Sequence, residues 1–282
     1  MADLLLFHLR RRRRRERRFR AGTQCEIDDF TDEELRARYR FRRESILFIT
    51  NLVAGDINRN TRRSHALPPL HQVLIALRFY AIGSFLQVIG DTLGVDKSTV
   101  SRVITDVSRA LIMKQPRFIK WPSTNDERAT TKNEPYLRGG FPCLIGCVDG
   151  TNVKLQAPSQ HENNIVNRKG FHSINVQGVC NHEARSAMQE AYNDADVKTR
   201  VVIEQTFGRW KRRFHVLHSE IRMAPEKVCM IVGACAVLHN IALQLNEPIE
   251  DEEVDELADV DPYHGPQQGL SIRDHICQTF FG

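Results

Sequence analysis

The stretch 142-PCLIGCVDGTNVKLQAP-158 decides how the C-terminal half of this 282-residue chain is interpreted. A continuous apolar run ends at Asp149-Gly150, and the residues after it alternate between apolar and polar. Asp-Gly between two strand-like runs predicts a hairpin turn. A third strand is predicted over residues 173–180, so the three strands would form a meander.

Asp149 is the first candidate for chemistry, because it ends a run that is predicted to be buried. Burial of a lone carboxylate costs several kcal/mol unless it is paired, hydrogen-bonded or bound to a cation. From these residues alone, two interpretations stay open. Asp149 is either a ligand in a site or the first residue of a turn that accepts hydrogen bonds from turn N–H groups.

In the N-terminal half, the stretch Leu93-Gly94-Val95-Asp96 separates two segments of helical periodicity. A helix, a glycine-containing turn and a second helix opened by an Asp cap have the outline of a helix-turn-helix. The alternative is a plain helical bundle, in which such turns are common. The residues that the second helix would present to base edges and phosphates are Lys97, Ser98, Thr99, Ser101 and Arg102.

Charge is distributed unevenly along the chain. Before Glu247 there are 39 basic and 25 acidic residues, whereas one basic and ten acidic residues follow from Glu247 on. Residues 10–20 include nine arginines, which suits either a nuclear-import signal or a nonspecific phosphate clamp, and composition does not separate the two. The basic body predicts a polyanionic partner.

The seven scattered cysteines predict reduced thiols, because an odd number in a long chain does not fit a disulfide framework. The apolar run of residues 4–7 is too short for a signal peptide, and the apolar stretch of residues 231–245 is shorter than a membrane-spanning helix. The sequence therefore predicts a soluble intracellular protein with no membrane partner.

Two further helices are predicted near the C-terminal end. Residues 197–217 carry an apolar stripe at helical spacing, with Glu204 immediately beside it, and Pro225 opens an apolar helix that runs to Leu245. The stripe consists of Ile203, Phe207, Trp210, Phe214 and Leu217.

Four motifs together resemble the Harbinger transposase-derived nucleases of the PIF/Harbinger DDE superfamily. They are residues 142–158, residues 167–180, residues 197–217 and Leu238-His239-Asn240. The resemblance implies an RNase H-like core in which two Asp and one Glu bind two divalent ions, Mg²⁺ or Mn²⁺, and cut phosphodiester bonds. It places the first Asp at Asp149 and the Glu at Glu204, as catalytic residues and metal ligands.

The middle Asp of this triad has no counterpart here. In the family it follows the third strand by several tens of residues, at the end of a fourth strand, whereas only 55 positions separate Asp149 from Glu204 in this chain. The missing strand would also leave the first strand at a sheet edge, which predicts reduced solubility. The carboxylates available as substitutes are Glu183, Glu190, Asp194 and Asp196.

The sequence therefore predicts a transposase-derived, DNA-binding nuclease whose catalysis is impaired. The alternatives are a noncatalytic nuclear DNA-binding adaptor and an unstable product without function. The expected location is the nucleus, with the cytoplasm as a second one, and the resemblance implies a Myb-like DNA-binding partner. Basic residues near the scissile bond are interpreted as phosphate contacts or, alternatively, as a solvated face: Arg168, Lys169, Arg209, Lys211, Arg212 and Arg213.

The predicted fold is α/β, with an N-terminal helical region that includes the helix-turn-helix and a truncated RNase H-like (DDE) domain. Five segments are expected. They are an Arg-rich tail (1–27), the helical DNA-binding region (28–115), a connector (116–140), the truncated nuclease domain (141–246) and an acidic tail (247–282).

Overall fold

The structure is a computed structural model that describes residues 27–58, 67–129, 131, 147–157, 165–180 and 192–248. Outside the described residues lie the arginine run, residues 130 and 132–140 of the predicted connector, the apolar residues 142–146 and the acidic stretch after Pro248. The domain boundaries given above stay a prediction.

Two helices open the described part of the chain. Helix α1 (Asp32–Tyr39) begins with a capping box, in which the Glu34 N–H donates to the Thr31 hydroxyl and the Thr31 N–H donates to the Glu34 carboxylate. Arg40 then takes a left-handed conformation with φ 67°, and α2 (Arg43–Ile57) follows. Gly55 lies within α2, which continues to Ile57.

A run of helices continues the N-terminal half. Helix α3 (Pro69–Ile82) ends at its C-cap Gly83, which adopts φ 64°. Next come α4 (Leu86–Leu93), α5 (Lys97–Met113) and the short α6 (Gln115–Phe118). Helix α5 packs against both α3 and α4.

The turn between α4 and α5 is tight. Gly94 has φ 69°, and the Val95 N–H donates to the Gly90 carbonyl at 2.9 Å. A Cβ at Gly90 would lie 2.4 Å from the Val95 carbonyl oxygen, so only glycine fits there. Asp96 is the N-cap of α5, as expected, and its carbonyl accepts from the N–H groups of residues 99 and 100, but its side chain makes no capping hydrogen bond.

The sheet has two antiparallel strands within the described residues, β1 (Cys147–Lys154) and β2 (Ser173–Cys180). Asp149 and Gly150 lie inside β1, so the predicted hairpin turn and three-stranded meander are wrong. An Asp-Gly hairpin turn needs a positive φ, and Gly150 is not among the residues that adopt one. Pairing with the distant β2 keeps the Asp-Gly backbone extended.

Alternation along both strands defines an inner and an outer face of the sheet. Val153 and Leu155 are fully buried on the inner face, as their spacing predicts. On the outer face, Val148 and Val179 stand opposite each other and are about half exposed. The inner face is covered by a long helix.

That helix is α7 (Tyr192–Arg213), and it contacts both strands. It begins five residues before the predicted start and ends at Arg213, after which residues 215–217 form a 3-10 turn. The predicted apolar stripe is confirmed: Phe207 is partly buried, and the other four members are buried (Ile203, Trp210, Phe214 and Leu217).

The last helix is α8 (Pro225–Gln244), which packs mainly against α5. By length and composition alone α8 could cross a membrane, with a mean hydropathy of 1.5. However, 56% of that window is buried inside the protein, as expected of a core helix.

One continuous apolar core extends from Ile27 to Ala242 and joins the N-terminal helices to α7 and α8. Polar contacts of Glu247, which follows α8 in the chain, reinforce this connection. The Glu247 carboxylate is buried, lies 3.3 Å from the Arg42 guanidinium and accepts a hydrogen bond from the Arg42 N–H. The Arg213 guanidinium donates to the Glu247 carbonyl at 3.1 Å. The α7 helix is therefore held at a fixed position relative to the helical layer.

Candidate functional site

Asp149 lies on the inner face of β1, the face on which α7 packs. Its side chain is exposed, and its Oδ1 accepts a hydrogen bond from the Gly150 N–H at 2.7 Å. The expectation of a buried carboxylate is therefore wrong. The apolar run before Asp149 was expected to be buried. On this face of β1, however, burial is complete only farther along the strand, at Val153.

The residue opposite Asp149 explains how closely α7 approaches this part of the sheet. Asp149 pairs with Gly178 of β2, and paired residues point to the same face of an antiparallel ladder. A Cβ at Gly178 would lie 2.7 Å from Cζ of Phe207, so the Phe207 ring occupies the space of a side chain. Phe207 therefore covers the strand position directly opposite Asp149.

Glu204 is exposed and precedes Phe207 by three residues on α7. Residues three apart lie on the same side of a helix, about 5–6 Å apart between Cβ atoms. Glu204 therefore lies on the side of α7 whose Phe207 contacts the partner of Asp149. The fold thus places both candidate carboxylates on one side of the sheet, exposed to solvent.

A third carboxylate for this site is not found among the described residues, which contain no group of three potential metal-ligating side chains. Asp194 and Asp196 were expected in a connecting segment, but they belong to α7. Asp196 precedes Glu204 by eight residues, about 12 Å along the helix axis at 1.5 Å per residue. Glu183 and Glu190 lie outside the described residues.

The chemistry of this donor set limits what it can hold. Two exposed carboxylates offer the hard oxygen atoms that Mg²⁺ and Mn²⁺ prefer. A pair of ions about 4 Å apart needs more ligands, converging from several elements. Among the described residues, the set does not fit a two-ion centre.

The basic loop before β2 is exposed and well ordered by its own polar contacts. The Asn167 side-chain carbonyl accepts from the Lys169 N–H at 2.9 Å, and the Asn167 amide donates to the Ser173 hydroxyl at 2.8 Å. Gly170 closes the turn with φ 79°. Arg168 and Lys169 are therefore presented to solvent at defined positions.

The basic residues of α7 divide into two groups. Arg209, Lys211 and Arg212 are half-buried on the surface of the helix. Arg213 is buried, and its guanidinium donates to the Arg40 and Glu247 carbonyls. The interpretation of Arg213 as a phosphate contact is therefore wrong, because it is a structural residue.

The N-terminal turn of α5 presents a polar surface. Lys97, Ser98 and Arg102 are exposed, and Thr99 and Ser101 are half-buried. The Arg102 guanidinium donates to the Ser98 carbonyl at 3.2 Å, so it folds back over this turn. All five predicted contact residues lie on one exposed surface.

His239 of α8 is buried beneath α7, and its Nδ1 has no hydrogen-bond partner. Burial, with the positive charges of Arg213 and Arg209, lowers the pKa of His239 to about 3. Cys235, one turn away, is also buried, and burial raises the pKa of its thiol. Both residues are packing residues of the core.

Sequence reasoning missed Gly178 and Phe207 as residues that position the site. Their contact depends on the register of β1 against β2. A predicted hairpin at Asp149 had assigned different partners to these strands. The helical spacing of Phe207 predicted only that it faces the core.

The comparisons with known proteins agree with these observations. Residues 182–240 match the family model described as DDE superfamily endonuclease. HARBI1 of Homo sapiens, described as a candidate nuclease, is 30% identical over 86% of this chain and 84% of its own length. HARBI1 of Xenopus laevis is 31% identical over 80% of this chain and 82% of its own length. No solved structure matches the chain significantly.

A plant relative covers a smaller part. The Arabidopsis thaliana protein named antagonist of like heterochromatin protein 1 is 30% identical over 55% of this chain and 41% of its own length. The mixture of helices and a small two-stranded sheet is consistent with an α/β DDE domain.

The alignment with human HARBI1 also bears on the missing segment. It extends over 302 positions, more than the 282 residues of this chain. Since 86% of 282 residues is about 243, about 60 aligned positions have no residue in this chain.

Proposed function

This chain belongs to the family of Harbinger transposase-derived nucleases, and from that premise we propose that it binds duplex DNA and carries an incomplete, impaired nuclease site. The observation that carries the proposal is the placement of Asp149 and Glu204 on one side of the sheet, without a third carboxylate among the described residues. The two parts of the proposal have separate support.

Impairment is supported by the alignment and by helix geometry. About 60 aligned positions of human HARBI1 lack a counterpart in this chain, enough for the strand and loop that would carry the middle Asp. The backbone positions of Asp194 and Asp196 do not favour them as substitutes, because they lie two or more helical turns before Glu204 on the same helix.

Divalent metal dependence is a general property of DDE endonucleases, and Mg²⁺ or Mn²⁺ is the cofactor that the proposal names. Asp149 and Glu204 are the residues that would hold a single ion. A single ion on two exposed carboxylates lacks the symmetric clamp on the attacking and leaving oxygens, so efficient in-line hydrolysis is not expected.

DNA binding is supported by the α4–turn–α5 unit and by the charge of the body. In a helix-turn-helix, the N-terminal residues of the second helix contact base edges in the major groove. Lys97, Ser98, Thr99, Ser101 and Arg102 occupy those positions on α5 and are accessible. Phosphate contacts are expected from basic residues outside α5: Arg168, Lys169, Arg209, Lys211 and Arg212.

A second candidate function is a noncatalytic nuclear adaptor that is tethered to DNA by α5 and binds other proteins. The absence of a third carboxylate among the described residues favours it, and so does the plant relative whose name describes an antagonist of a heterochromatin protein. Both candidates place the protein in the nucleus, with the cytoplasm as a second location. A Myb-like DNA-binding protein is the partner proposed from the family.

Salt-dependent binding to duplex DNA tests the proposal. The full chain should bind with an affinity that falls steeply with salt, and Asp149→Ala should leave this affinity unchanged. Lys97→Gln with Arg102→Gln should weaken binding at least tenfold, whereas Arg109→Gln, an exposed change farther along α5, should not. A chain that is folded but does not bind duplex DNA would refute the DNA-binding half.

A further inference from the structure

The end of β1 far from Asp149 carries a group of basic side chains, of which only Lys211 and Arg212 belong to the DNA contacts proposed above. The group, here called the Lys154 cluster, consists of Lys154 on β1, Lys211 and Arg212 on α7, and His215 and His218 after α7. Lys154, His215 and His218 are exposed, and the other two are half-buried.

Backbone contacts bring these three elements together. Ile221 N–H donates to the Lys154 carbonyl at 3.1 Å and Gln156 N–H donates to the Ile221 carbonyl at 3.1 Å, which fixes the segment after His218 against the end of β1. The Lys211 ammonium group donates to the Asn152 carbonyl at 3.1 Å. Lys211 is therefore held at the edge of β1, two residues from Lys154.

The rest of the cluster is held just as firmly. The His215 and His218 rings lie 5.6 Å apart between centroids, in a turn closed by the hydrogen bond from the His218 N–H to the His215 carbonyl. The Lys154 ammonium group lies 5.0 Å from the centroid of the Phe171 ring. The Lys154 ammonium group thus lies against an aromatic ring, and the turn holds the two imidazole rings next to each other.

Four members of the cluster have no carboxylate partner among the described residues: no carboxylate there forms an ion pair with Lys154, Lys211, His215 or His218. The nearby Glu220 pairs with Arg222. Burial and the positive charge of Lys154 lower the pKa of Lys211. Burial lowers the pKa of His218, and the nearby basic groups of Lys211, His215 and Arg212 lower it further. Such mutual repulsion is what a bound anion would relieve.

We infer that the Lys154 cluster is a phosphate-binding site. It binds the nucleic-acid strand at a distance from the candidate nuclease site. The inference depends on the proposed DNA binding and adds a second anchoring point to it. Lys154 follows Asp149 by five strand residues, about 17 Å, and Lys211 follows Glu204 by seven helical residues, about 10 Å. At a rise of about 3.4 Å per nucleotide, the cluster binds a phosphodiester three to five nucleotides from the carboxylates.

The first experiment uses pyrophosphate as the probe and the imidazole NMR resonances of the full chain as the readout. Pyrophosphate should shift the resonances of His215 and His218, assigned with His215→Gln and His218→Gln, and should raise the pKa of His218. Lys154→Gln with Lys211→Gln should abolish both effects, whereas Lys120→Gln, an exposed lysine outside the cluster, should preserve them. Circular dichroism verifies that each variant is folded.

The second experiment measures duplex binding against salt concentration. Removal of two phosphate contacts should reduce the slope of log K against log salt by about 2, and the Lys154→Arg, Lys211→Arg variant should retain the wild-type slope. Two results together would overturn the inference while the proposed function stands. The Lys154→Gln, Lys211→Gln variant would bind duplex DNA with the wild-type salt slope, and pyrophosphate would not shift the imidazole resonances of the wild type. No duplex binding by the folded chain, despite a pyrophosphate shift, would contradict the proposed function and the strand assignment together.

Discussion

Asp149 and Gly178 face each other across the β1–β2 ladder, and the missing side chain of Gly178 is replaced by the ring of Phe207. This relationship connects the strand that carries one candidate carboxylate to the helix that carries the other. A glycine at this position lets α7 lie close to the sheet, so the position of the helix that carries Glu204 depends on it.

Gly178→Ala should therefore destabilise the protein. The new Cβ would lie 2.7 Å from Phe207 Cζ, so the ring or the helix must move, at a cost of about 1–3 kcal/mol. Phe207→Leu in the same chain should recover part of the loss. Urea unfolding measures the free energies, and Gly55→Ala, where a Cβ meets nothing within 4 Å, is the control that should not destabilise. Equal stability of Gly178→Ala and the wild type would contradict the packing described.

Gly90→Ala should disrupt the turn between α4 and α5. Its Cβ would lie 2.4 Å from the backbone carbonyl oxygen of Val95, which cannot move without displacing the start of α5. We expect a loss of about 2–3 kcal/mol in unfolding free energy and weaker duplex binding, because Lys97 follows this turn directly. Unfolding and binding titrations measure both, and an Ala variant that binds DNA like the wild type would argue against a role for this turn.

Acidification should destabilise the protein through His239. Its folded pKa of about 3 lies below the usual 6.5, so the unfolded state takes up a proton first as the pH falls. The loss of unfolding free energy begins near pH 6.5 and reaches about 2 kcal/mol at pH 5. His239→Leu should therefore lose about 2 kcal/mol less than the wild type between pH 7 and pH 5 in denaturant unfolding. Equal losses in the two proteins would show that His239 titrates normally.

Glu247→Ala should destabilise the connection between α2 and the end of α8. The substitution leaves the half-buried Arg42 guanidinium without its carboxylate, at an expected cost of about 2–4 kcal/mol. A double-mutant cycle with Arg42→Ala isolates the pair, and a coupling energy near zero would contradict this interpretation. Glu250→Ala, outside the described residues, is the comparison for a general effect of charge.

Local signals in the sequence predicted the two helices on either side of Gly94 and the two C-terminal helices. The glycine turn before α5 and the apolar stripe of α7 each act within a few residues, so their effects can be inferred from neighbours in the chain. The resemblance to a family supplied Asp149 and Glu204, and the structure places them on one side of the sheet.

Contacts between distant segments could not be inferred in this way. Asp149-Gly150 has the sequence of a hairpin turn, yet the ladder with β2 extends it. Arg213 belongs to a basic run, but the carbonyls that bury it come from Arg40 and Glu247. The Lys154 cluster likewise depends on the backbone bridge between Leu155 and Ile221, which no spacing in the sequence indicates.

Plasmid nicking in Mg²⁺ and Mn²⁺ tests the central claim most directly, with the wild type, Asp149→Ala and Glu204→Gln compared at concentrations where each binds the plasmid. The account predicts duplex binding by all three and nicking by the wild type no faster than by either variant. Nicking by the wild type that Asp149→Ala abolishes would contradict it, because the site would then be complete.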